Sequence, residues 1–296
     1  MNMHLQPSGR GEFVNSVSLL DQALAPEILI GMPHLTPLGL SENWLLRELG
    51  HRHWLLLARA AGMTNADFHD REGREAYAAI SALSMKGIDL TTVKANDVLR
   101  IDSSVRPISR TQVLSRHELS IRTGAIGSIE LISTFIARLR SGDNHSIARV
   151  VIAGLPDIDQ LEHPGALAKL AAAMRAGEVT EHFGLLVGRD KLLAGKGLVP
   201  DENRDFNGAG LLYFANFPLI ADSIINSEFK LQPTQLGHLD RDVFYSGNVN
   251  PGETVDIHLT NAVVAEGKFA SLVRILRQDR TVIAQIFTRG ELPFRG

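Results

Sequence analysis

Hydrophobic and polar positions along the chain form two similar series, each opening with a helical pattern and continuing with alternating, strand-like runs. In the first series, residues 41–50 (SENWLLRELG) place an apolar stripe behind Ser41, a residue suited to cap a helix N-terminus. We expect this helix to stop or kink at Gly50 and to continue or restart over residues 53–61. Four strand-like runs follow between turn-forming segments: residues 76–86, 97–107, 112–123 and 128–140.

The second series opens at residues 205–224 (DFNGAGLLYFANFPLIADSI), where a polar turn leads into an apolar helical pattern. We expect Pro218 to kink or locally open this helix, because proline lacks the N–H that a helix interior requires. Strand-like runs then follow at residues 242–248, 253–260, 268–278 and 281–288. The apolar positions that we expect in the core are Leu211, Leu212, Phe214, Leu219 and Ile220, with Tyr213 among them.

The two series indicate one structural unit used twice. The clearest local match sets residues 94–102 (KANDVLRID) against residues 250–258 (NPGETVDIH), each a tight turn, an acidic residue and an alternating strand. The order of elements, a helix and then several long strands, carries more of the argument than the few identities. We therefore expect a flexible arm at 1–14, a first unit at 15–140, a connector with a short helix at 141–204, and a second unit at 205–296.

A single long helix that is apolar nearly all round indicates a sheet curled about it. An antiparallel sheet wrapped around one central helix is the hot-dog arrangement, so two such units in one chain predict an α+β double hot dog. We expect the two units to pair with near two-fold symmetry, much as two subunits of a dimer do. A homodimer of the whole chain stays open at this point.

Composition narrows the class of protein. The chain has 296 residues, of which 44% are hydrophobic and 21% charged, as in soluble globular proteins. A net charge of -3 offers no general basic field for nucleic acid. The chain has no cysteine, which excludes disulfides, thiolate zinc sites and a cysteine nucleophile. With no signal-like N-terminus and no apolar run of about 18 residues, we expect a cytoplasmic protein without a membrane segment.

Metal and cofactor motifs are weak or missing. His51 and His53 form a His-x-His pair, but no third ligand stands at helical spacing, so we expect no metal. The Gly-Lys pair in residues 188–197 lacks the spacing and the Ser/Thr of a phosphate-binding loop, and residues 150–156 lack the glycines of a dinucleotide site. We therefore expect no bound cofactor.

The start of the second unit resembles the Asp-x-x-Gly-His-x-Asn-Asn signature of hot-dog thioesterases of the 4-hydroxybenzoyl-CoA type. Asp205, Asn207 and Gly208 match its first half. Ala209 stands where the signature has histidine, and leucines replace the asparagine pair. This departure argues against simple thioester hydrolysis.

A closer resemblance is to the bifunctional acyltransferase/decarboxylases of polyketide biosynthesis, the double hot-dog family of the leinamycin pathway enzyme. Residues 205–222 (DFNGAGLLYFANFPLIAD) resemble the family's Asp-x-Asn-Gly-x-Gly-Leu-Leu-Tyr-Phe-Ala block. Residues 243–255 (VFYSGNVNPGETV) resemble its Tyr-x-Gly-Asn strand, here with Tyr245, Gly247 and Asn248. The first half agrees in layout more than in letters, so the second-half block is the specific part.

This resemblance implies a reaction on methylmalonyl-CoA, a substrate rather than a bound cofactor. The acyl group is loaded onto an acyl carrier protein and carbon dioxide is lost, which leaves a propionyl group. The nucleophile of the family is a tyrosine near the start of the first unit's strands, which here is Tyr77, acting through an acyl-tyrosine. The residues that we expect to contact substrate are His34, Asn207, Gly208, Ala209, Gly210 and Asn248.

The chemistry of these residue types agrees with that implication. Decarboxylation of a malonyl-type thioester builds negative charge on the thioester oxygen, which backbone N–H groups at a helix start can stabilise. Gly208 and Gly210 permit close approach of the backbone, and residues 37–41 of the first unit could offer a matching set of donors. Tyr77, with an ordinary pKa of about 10, needs a base; the candidates are His34, His51 and His53.

Two other functions remain open from the sequence. One is a hot-dog acyl-CoA thioesterase or dehydratase, against which the missing histidine argues. The other is a non-catalytic module that binds an acyl-carrier chain, which would need no polar side chain near either helix start.

Overall fold

The computed structural model describes residues 16–152, 165–188 and 191–293, so the predicted arm at 1–14 lies outside the described residues. The α-helices in chain order are α1 (Ser16–Ala23), α2 (Glu42–Ala60), α3 (Ala166–Ala176), α4 (Glu202–Asp205) and α5 (Asn216–Phe229). Two 3-10 turns cover Met32–His34 and Pro233–Gln235. The strands before α3 are β1 (Glu27–Leu29), β2 (Leu35–Thr36), β3 (Gly39–Leu40), β4 (Tyr77–Ile88), β5 (Val98–Ser109), β6 (Gln112–Ile121), β7 (Gly124–Arg138) and β8 (Ile147–Arg149). Those after it are β9 (Glu181–His182), β10 (Leu185–Leu186), β11 (Ala194–Leu198), β12 (Gly237–Tyr245), β13 (Val255–Ala265), β14 (Lys268–Arg277) and β15 (Val282–Glu291).

One antiparallel sheet of eleven strands runs through both halves of the chain. Its centre is the pair β4–β12, and on either side the strand order is the same: β4-β7-β6-β5 in one half and β12-β15-β14-β13 in the other. Each half thus places its first strand beside its fourth, then its third and second. The repeat predicted from the sequence is confirmed, and the fold is an α+β double hot dog.

The first central helix, α2, begins where the sequence indicated. Ser41 is its N-cap, and its Oγ accepts a 3.2 Å hydrogen bond from the Trp44 N–H. The predicted stop at Gly50 is wrong and the alternative of continuation over residues 53–61 is confirmed, because α2 runs unbroken to Ala60. A Cβ at Gly50 would lie 2.6 Å from a ring carbon of Phe214 and 2.6 Å from the Tyr213 hydroxyl. Glycine therefore stands here to let a second-unit segment approach the helix closely.

The second central helix, α5, begins later than the sequence suggested. Residues 206–215 form an irregular loop, with Gly210 in the left-handed region at φ 67°, and the helix starts at Asn216. Pro218 consequently lies in the first turn, where its missing N–H would have had no helical partner. The predicted kink at Pro218 is wrong for that reason.

The core positions predicted around α5 are confirmed with one exception. Leu211, Leu212, Phe214 and Ile220 are buried and Tyr213 is partly buried against the core, whereas Leu219 is 53% exposed. The expectation for Leu219 is wrong because it projects from the outer side of α5, away from the sheet that covers its buried neighbours. Both central helices contribute to one apolar core that extends across the two halves.

A charged triad joins the two helices to the middle of the sheet. Arg241 on β12 is completely buried and donates hydrogen bonds of 2.8 and 3.1 Å to the two carboxylate oxygens of Asp222 on α5. Its Nε lies 3.3 Å from Oε1 of Glu42, the first residue of α2. Burial raises the pKa of Glu42 to about 7 despite the opposing effect of Arg241. The single arginine therefore serves both carboxyl groups.

Within the described ranges, no helix combines the length and apolar character that crossing a membrane would take.

Candidate active site

A cavity of about 900 Å³ lies where the two central strands separate. β4 and β12 pair from Ile88–Leu239 as far as Ala82–Phe244. Beyond that point, residues 77–81 and residues 245–248 line the cavity. The second half of α2, the loop that precedes α5 and parts of β7, β8, α3 and β14 also line it, so the cavity is built from both units.

Most of the predicted site residues meet at this cavity. Gly210 lies just behind the wall, and its carbonyl accepts a 2.7 Å hydrogen bond from Asn144 Nδ2. His34 lies elsewhere: its ring packs at a tilt against that of Trp44, with centroids 4.5 Å apart, and its Nδ1 accepts a hydrogen bond from the Gly31 N–H. None of residues 37–41 borders the cavity either. The predicted residues that do line it are Tyr77, Asn207, Gly208, Ala209 and Asn248.

Tyr77 is in direct contact with an acid that the sequence analysis missed. Its hydroxyl donates a 2.6 Å hydrogen bond to Oε2 of Glu75. Burial, together with the carboxylate of Glu75, raises the pKa of Tyr77, so the phenol keeps its proton in the resting protein. A hydroxyl and a carboxylate in such contact can act as nucleophile and general base. The spacing of two residues, which puts side chains on one face of an extended chain, was the available signal.

The loop from Asn207 to Leu212 is held mainly by its own asparagine. Oδ1 of Asn207 accepts hydrogen bonds from the N–H groups of Ala209 and Leu211, at 3.1 and 3.0 Å. Its backbone carbonyl accepts from the Gly210 N–H at 2.8 Å. The N–H of Leu212 donates to Oδ1 of Asn248 at 2.9 Å. The backbone donors from Ala209 to Leu212 are therefore engaged within the protein.

Asn248 acts on this loop through both ends of its amide. Besides accepting from Leu212, its Oδ1 accepts from the Val249 N–H at 3.0 Å, and its Nδ2 donates to the Leu212 carbonyl at 3.1 Å. The amide is thus occupied in holding the loop against the end of β12.

Two further residues hold the loop from the first unit and the connector. Arg138 donates to the carbonyl of Ala209, and its guanidinium lies 5.5 Å from the ring centroid of Tyr77. Oδ1 of Asn144 accepts from Nε and Nη2 of Arg138 at 2.9 and 2.6 Å. Arg138 thereby links the position of the loop to that of Tyr77, a relationship between residues distant in sequence.

Two hydrogen-bond donors of the loop remain available to a ligand. The N–H of Gly208 and Nδ2 of Asn207 have no hydrogen-bond partner among the described residues, and both residues line the cavity. Gly208 has an ordinary φ, and a Cβ there would meet no atom within 4 Å. Neither backbone strain nor packing requires glycine at this position. Its effect is to leave the N–H unobstructed from the cavity side.

Asp205, a base candidate by its type, is a structural residue. Its carboxylate accepts from Arg204 at 3.0 and 2.9 Å and from the Asp201 N–H at 2.8 Å. Burial works to raise the pKa of Asp205, but these hydrogen bonds outweigh it and lower the pKa. It does not border the cavity, and with alanine at 209 the loop presents no imidazole there.

Positive charge prevails along the cavity wall. Within the described chain, the lining arginines are Arg149, Arg175 and Arg277, and the lining carboxylate is Glu75. Burial and the neighbouring charge of Arg149 lower the pKa of Arg175. Such a wall suits a substrate that carries carboxylate or phosphate groups. The described residues contain no group of three histidine or acidic side chains placed to hold a metal ion.

Three histidines also border the cavity, in different states. His51 is exposed, and His145 lies 2.9 Å from a carboxylate oxygen of Glu253. His53 is 1% exposed, and burial lowers its pKa to about 4, so its ring is neutral at physiological pH.

No model of a protein family matches the sequence, and no curated protein matches it. Similar folds are found among solved structures. An acyl-ACP thioesterase from Bacteroides thetaiotaomicron superposes with a TM-score of 0.58 at 13% identity, over 88% of this chain and 95% of that one. The 12:0-ACP thioesterase from Umbellularia californica superposes with a TM-score of 0.56 at 11% identity, over 88% of this chain and 94% of that one. A Lactobacillus plantarum protein provisionally named an oleoyl thioesterase superposes with a TM-score of 0.58 at 14% identity, over 90% of this chain and 95% of that one. At these identities the likeness establishes the shared fold, which is the hot dog.

Proposed function

We propose that this protein is an acyltransferase/decarboxylase that takes the acyl group of methylmalonyl-CoA and loads it, as propionyl, onto an acyl carrier protein. The observation that carries the proposal is the contact between Tyr77 and Glu75 at the wall of a cavity shared by two hot-dog units. It supplies a nucleophile with an adjacent base where the family resemblance expects one. The arginines along the wall suit the carboxylate and phosphates of such a substrate.

The first step forms an ester on Tyr77. Its oxygen attacks the thioester carbonyl carbon while Glu75 accepts the phenolic proton. The negative charge that develops on the carbonyl oxygen is stabilised by the free donors of Gly208 and Asn207. The carbon–sulfur bond then breaks, and the CoA sulfur leaves with the proton held by Glu75. The products are an acyl-tyrosine and free CoA.

The remaining steps remove carbon dioxide and pass the acyl group on. The bond to the carboxylate carbon breaks, its electron pair moves towards the carbonyl oxygen, and one proton is taken up at carbon to give propionyl. The same two donors stabilise the enolate oxygen of this step. The thiol of the carrier protein then attacks the ester, and Tyr77 leaves and is reprotonated.

Intact-mass measurement tests this proposal. With methylmalonyl-CoA alone, the wild-type chain should gain the mass of an acyl group, and with carrier protein the mass should pass to the carrier as propionyl. Tyr77→Phe should abolish both. Tyr213→Phe is the matched control, because Tyr213 borders the same cavity but donates to no carboxylate of the described residues. Unmodified carrier after incubation with the wild-type chain would overturn the proposal.

Thioester hydrolysis is the second candidate, because the structural neighbours named above are called thioesterases. In that case, CoA and the free acid would accumulate without any carrier protein, at a rate that Tyr77→Phe leaves unchanged. Binding of acylated carrier with no release of CoA would indicate a non-catalytic module instead.

A further inference from the structure

Four side chains of the first unit form an unbroken hydrogen-bonded chain behind the cavity. Nδ1 of His53 lies 2.7 Å from Oγ of Ser115, which lies 2.9 Å from Nε2 of His117. Nδ1 of His117 in turn lies 2.8 Å from Oγ of Ser103. All three distances are those of good hydrogen bonds, and each hydroxyl can both donate and accept.

The fold places these residues on one face of the sheet. Ser103 on β5 is the register partner of His117 on β6, and Ser115 precedes His117 by two residues. Period-two alternation puts all three on the same side, from which His53 of α2 is reached. Ser115 and His117 are fully buried, whereas Ser103 is partly exposed. The chain therefore runs from partly exposed Ser103 to the buried ring of His53.

The inner end of the chain is unsatisfied. Nε2 of His53 is buried and has no hydrogen-bond partner among the described residues, although the residue lines the cavity. An unpaired buried nitrogen costs free energy that a ligand or a reacting group can recover. Each of the other polar atoms of the hydrogen-bonded chain has a partner, so the unpaired nitrogen belongs to His53, the one member that lines the cavity.

We propose that Ser103, His117, Ser115 and His53 form a proton relay, and that Nε2 of His53 protonates the substrate carbon after carbon dioxide is lost. This inference rests on the proposed function, which needs one proton at that carbon in each turnover. His53 is then a catalytic residue, and the other three are positioning residues that supply its proton.

The transfer balances with both rings neutral before and after it. Nε2–H of His53 gives its proton to carbon, and Nδ1 of His53 takes the Ser115 hydroxyl proton. Ser115 is refilled from Nε2 of His117, whose Nδ1 takes the Ser103 proton, and Ser103 takes one from solvent. The relay resets when the thiol of the carrier protein gives its proton to Nε2 of His53 and a proton leaves at Ser103. The departing oxygen of Tyr77 takes its own proton from solvent through the exposed Glu75.

The low pKa of both histidines agrees with this role. Burial lowers the pKa of His53 to about 4 and, with the nearby charges of His53 and Arg52, that of His117 to about 3. Neither ring is held as a cation, so each can pass one proton while accepting another.

The test breaks the relay at its middle and follows two products. Ser115→Ala should slow formation of propionyl-carrier about 10²-fold, the usual worth of a positioned proton donor, while the first-turnover burst of CoA from methylmalonyl-CoA keeps near the wild-type rate. Ser133→Ala is the matched control, because it also removes a fully buried strand hydroxyl of the first unit, one outside the relay. It should leave both rates unchanged.

Deuterium labelling gives a readout that a purely structural role would not move. In heavy water, the wild-type chain should place one deuterium on one face of the propionyl carbon. Ser115→Ala and Ser103→Ala should give a mixture of both faces, because loose water then protonates the enolate. Wild-type rate and single-face labelling in both variants would overturn the relay alone. No CoA release by the wild-type chain would overturn the proposed function and the relay with it.

Discussion

The hydroxyl of Tyr77 donates a 2.6 Å hydrogen bond to Glu75, which lies just before the strand that borders the cavity. The pair brings a poor nucleophile together with the group that can take its proton as a new bond forms. The raised pKa of Tyr77 shows that the resting site holds a neutral phenol rather than a phenolate. Activation therefore has to accompany attack on the substrate.

Replacement of Glu75 by glutamine should lower the rate of acyl-tyrosine formation about 10²- to 10⁴-fold, because the amide cannot accept the phenolic proton as a base. Rapid-quench mass measurement of the acylated chain follows this step directly. Glu72→Gln serves as the control, since Glu72 pairs with Arg74 on the surface nearby and does not line the cavity. Equal rates in the Glu75 variant and the wild-type chain would remove Glu75 from the mechanism.

Replacement by alanine should affect stability at one glycine of the loop before α5 and activity at the other. Gly210→Ala should lower the free energy of unfolding by about 1–2 kcal/mol, because its φ of 67° is costly for a residue with a Cβ. Gly208→Ala should change stability by less than about 0.5 kcal/mol, since the space around a Cβ there is open. It should instead lower kcat/KM about tenfold or more by obstructing approach to the N–H. Urea unfolding and steady-state kinetics on both variants check this pair, and full activity of Gly208→Ala would contradict it.

Removal of Asp222 should destabilise the fold more than removal of a surface acid. Asp222→Ala leaves the completely buried Arg241 with Glu42 alone, and breaking a buried pair in this way costs about 3–5 kcal/mol. Asp102→Ala, which breaks the exposed pair with Arg100, should cost less than about 1 kcal/mol. Urea unfolding curves of the two variants measure both values. Similar losses of unfolding free energy in the two variants would show that the buried pair of Asp222 and Arg241 matters no more than an exposed pair.

Acid should destabilise the protein through its buried histidines. The pKa of His53 is about 4 and that of His117 about 3 in the folded chain, against 6.5 when unfolded. The unfolded chain therefore binds more protons below about pH 6.5, and stability falls as the pH drops towards 4. At pH 5 the loss is about 2 kcal/mol for each histidine.

Glu42 acts in the opposite direction, because its pKa is about 7 in the folded chain and 4.5 when unfolded. Between these two pH values the folded chain binds the extra proton, so this group makes the protein more stable as the pH falls. Glu42 is present in the wild-type chain and in both histidine variants, so its contribution cancels when their unfolding free energies are compared. The unfolding free energy of His117→Gln should vary less with pH between 6.5 and 4 than that of the wild-type chain. His51→Gln, a change at an exposed ring, should keep the wild-type slope. Parallel slopes in all three would contradict the assignment.

Much of the architecture could be predicted because it is encoded locally. Strand-like runs in the sequence overlap each of the eight long strands found among the described residues, and Ser41 marked the start of α2, since both signals depend on neighbours in sequence. The second-unit block also led to Asn207 and Gly208, which border the cavity. The sequence does not show that α5 starts as late as Asn216. The preceding loop is as apolar as a helix, because α2 and the sheet bury its side chains although the loop itself is irregular.

By itself, the sequence determined the repeat, the strands, the hot-dog class and the loop that borders the cavity. Only the tertiary structure decided which side chains face one another across that cavity. Arg138 reaches Ala209, and His53 reaches Ser115, through the register of strands and the packing of α2 on the sheet. Such contacts join residues 62 and 71 positions apart. A single sequence does not give contacts between residues so far apart, because the curvature of the whole sheet brings them together.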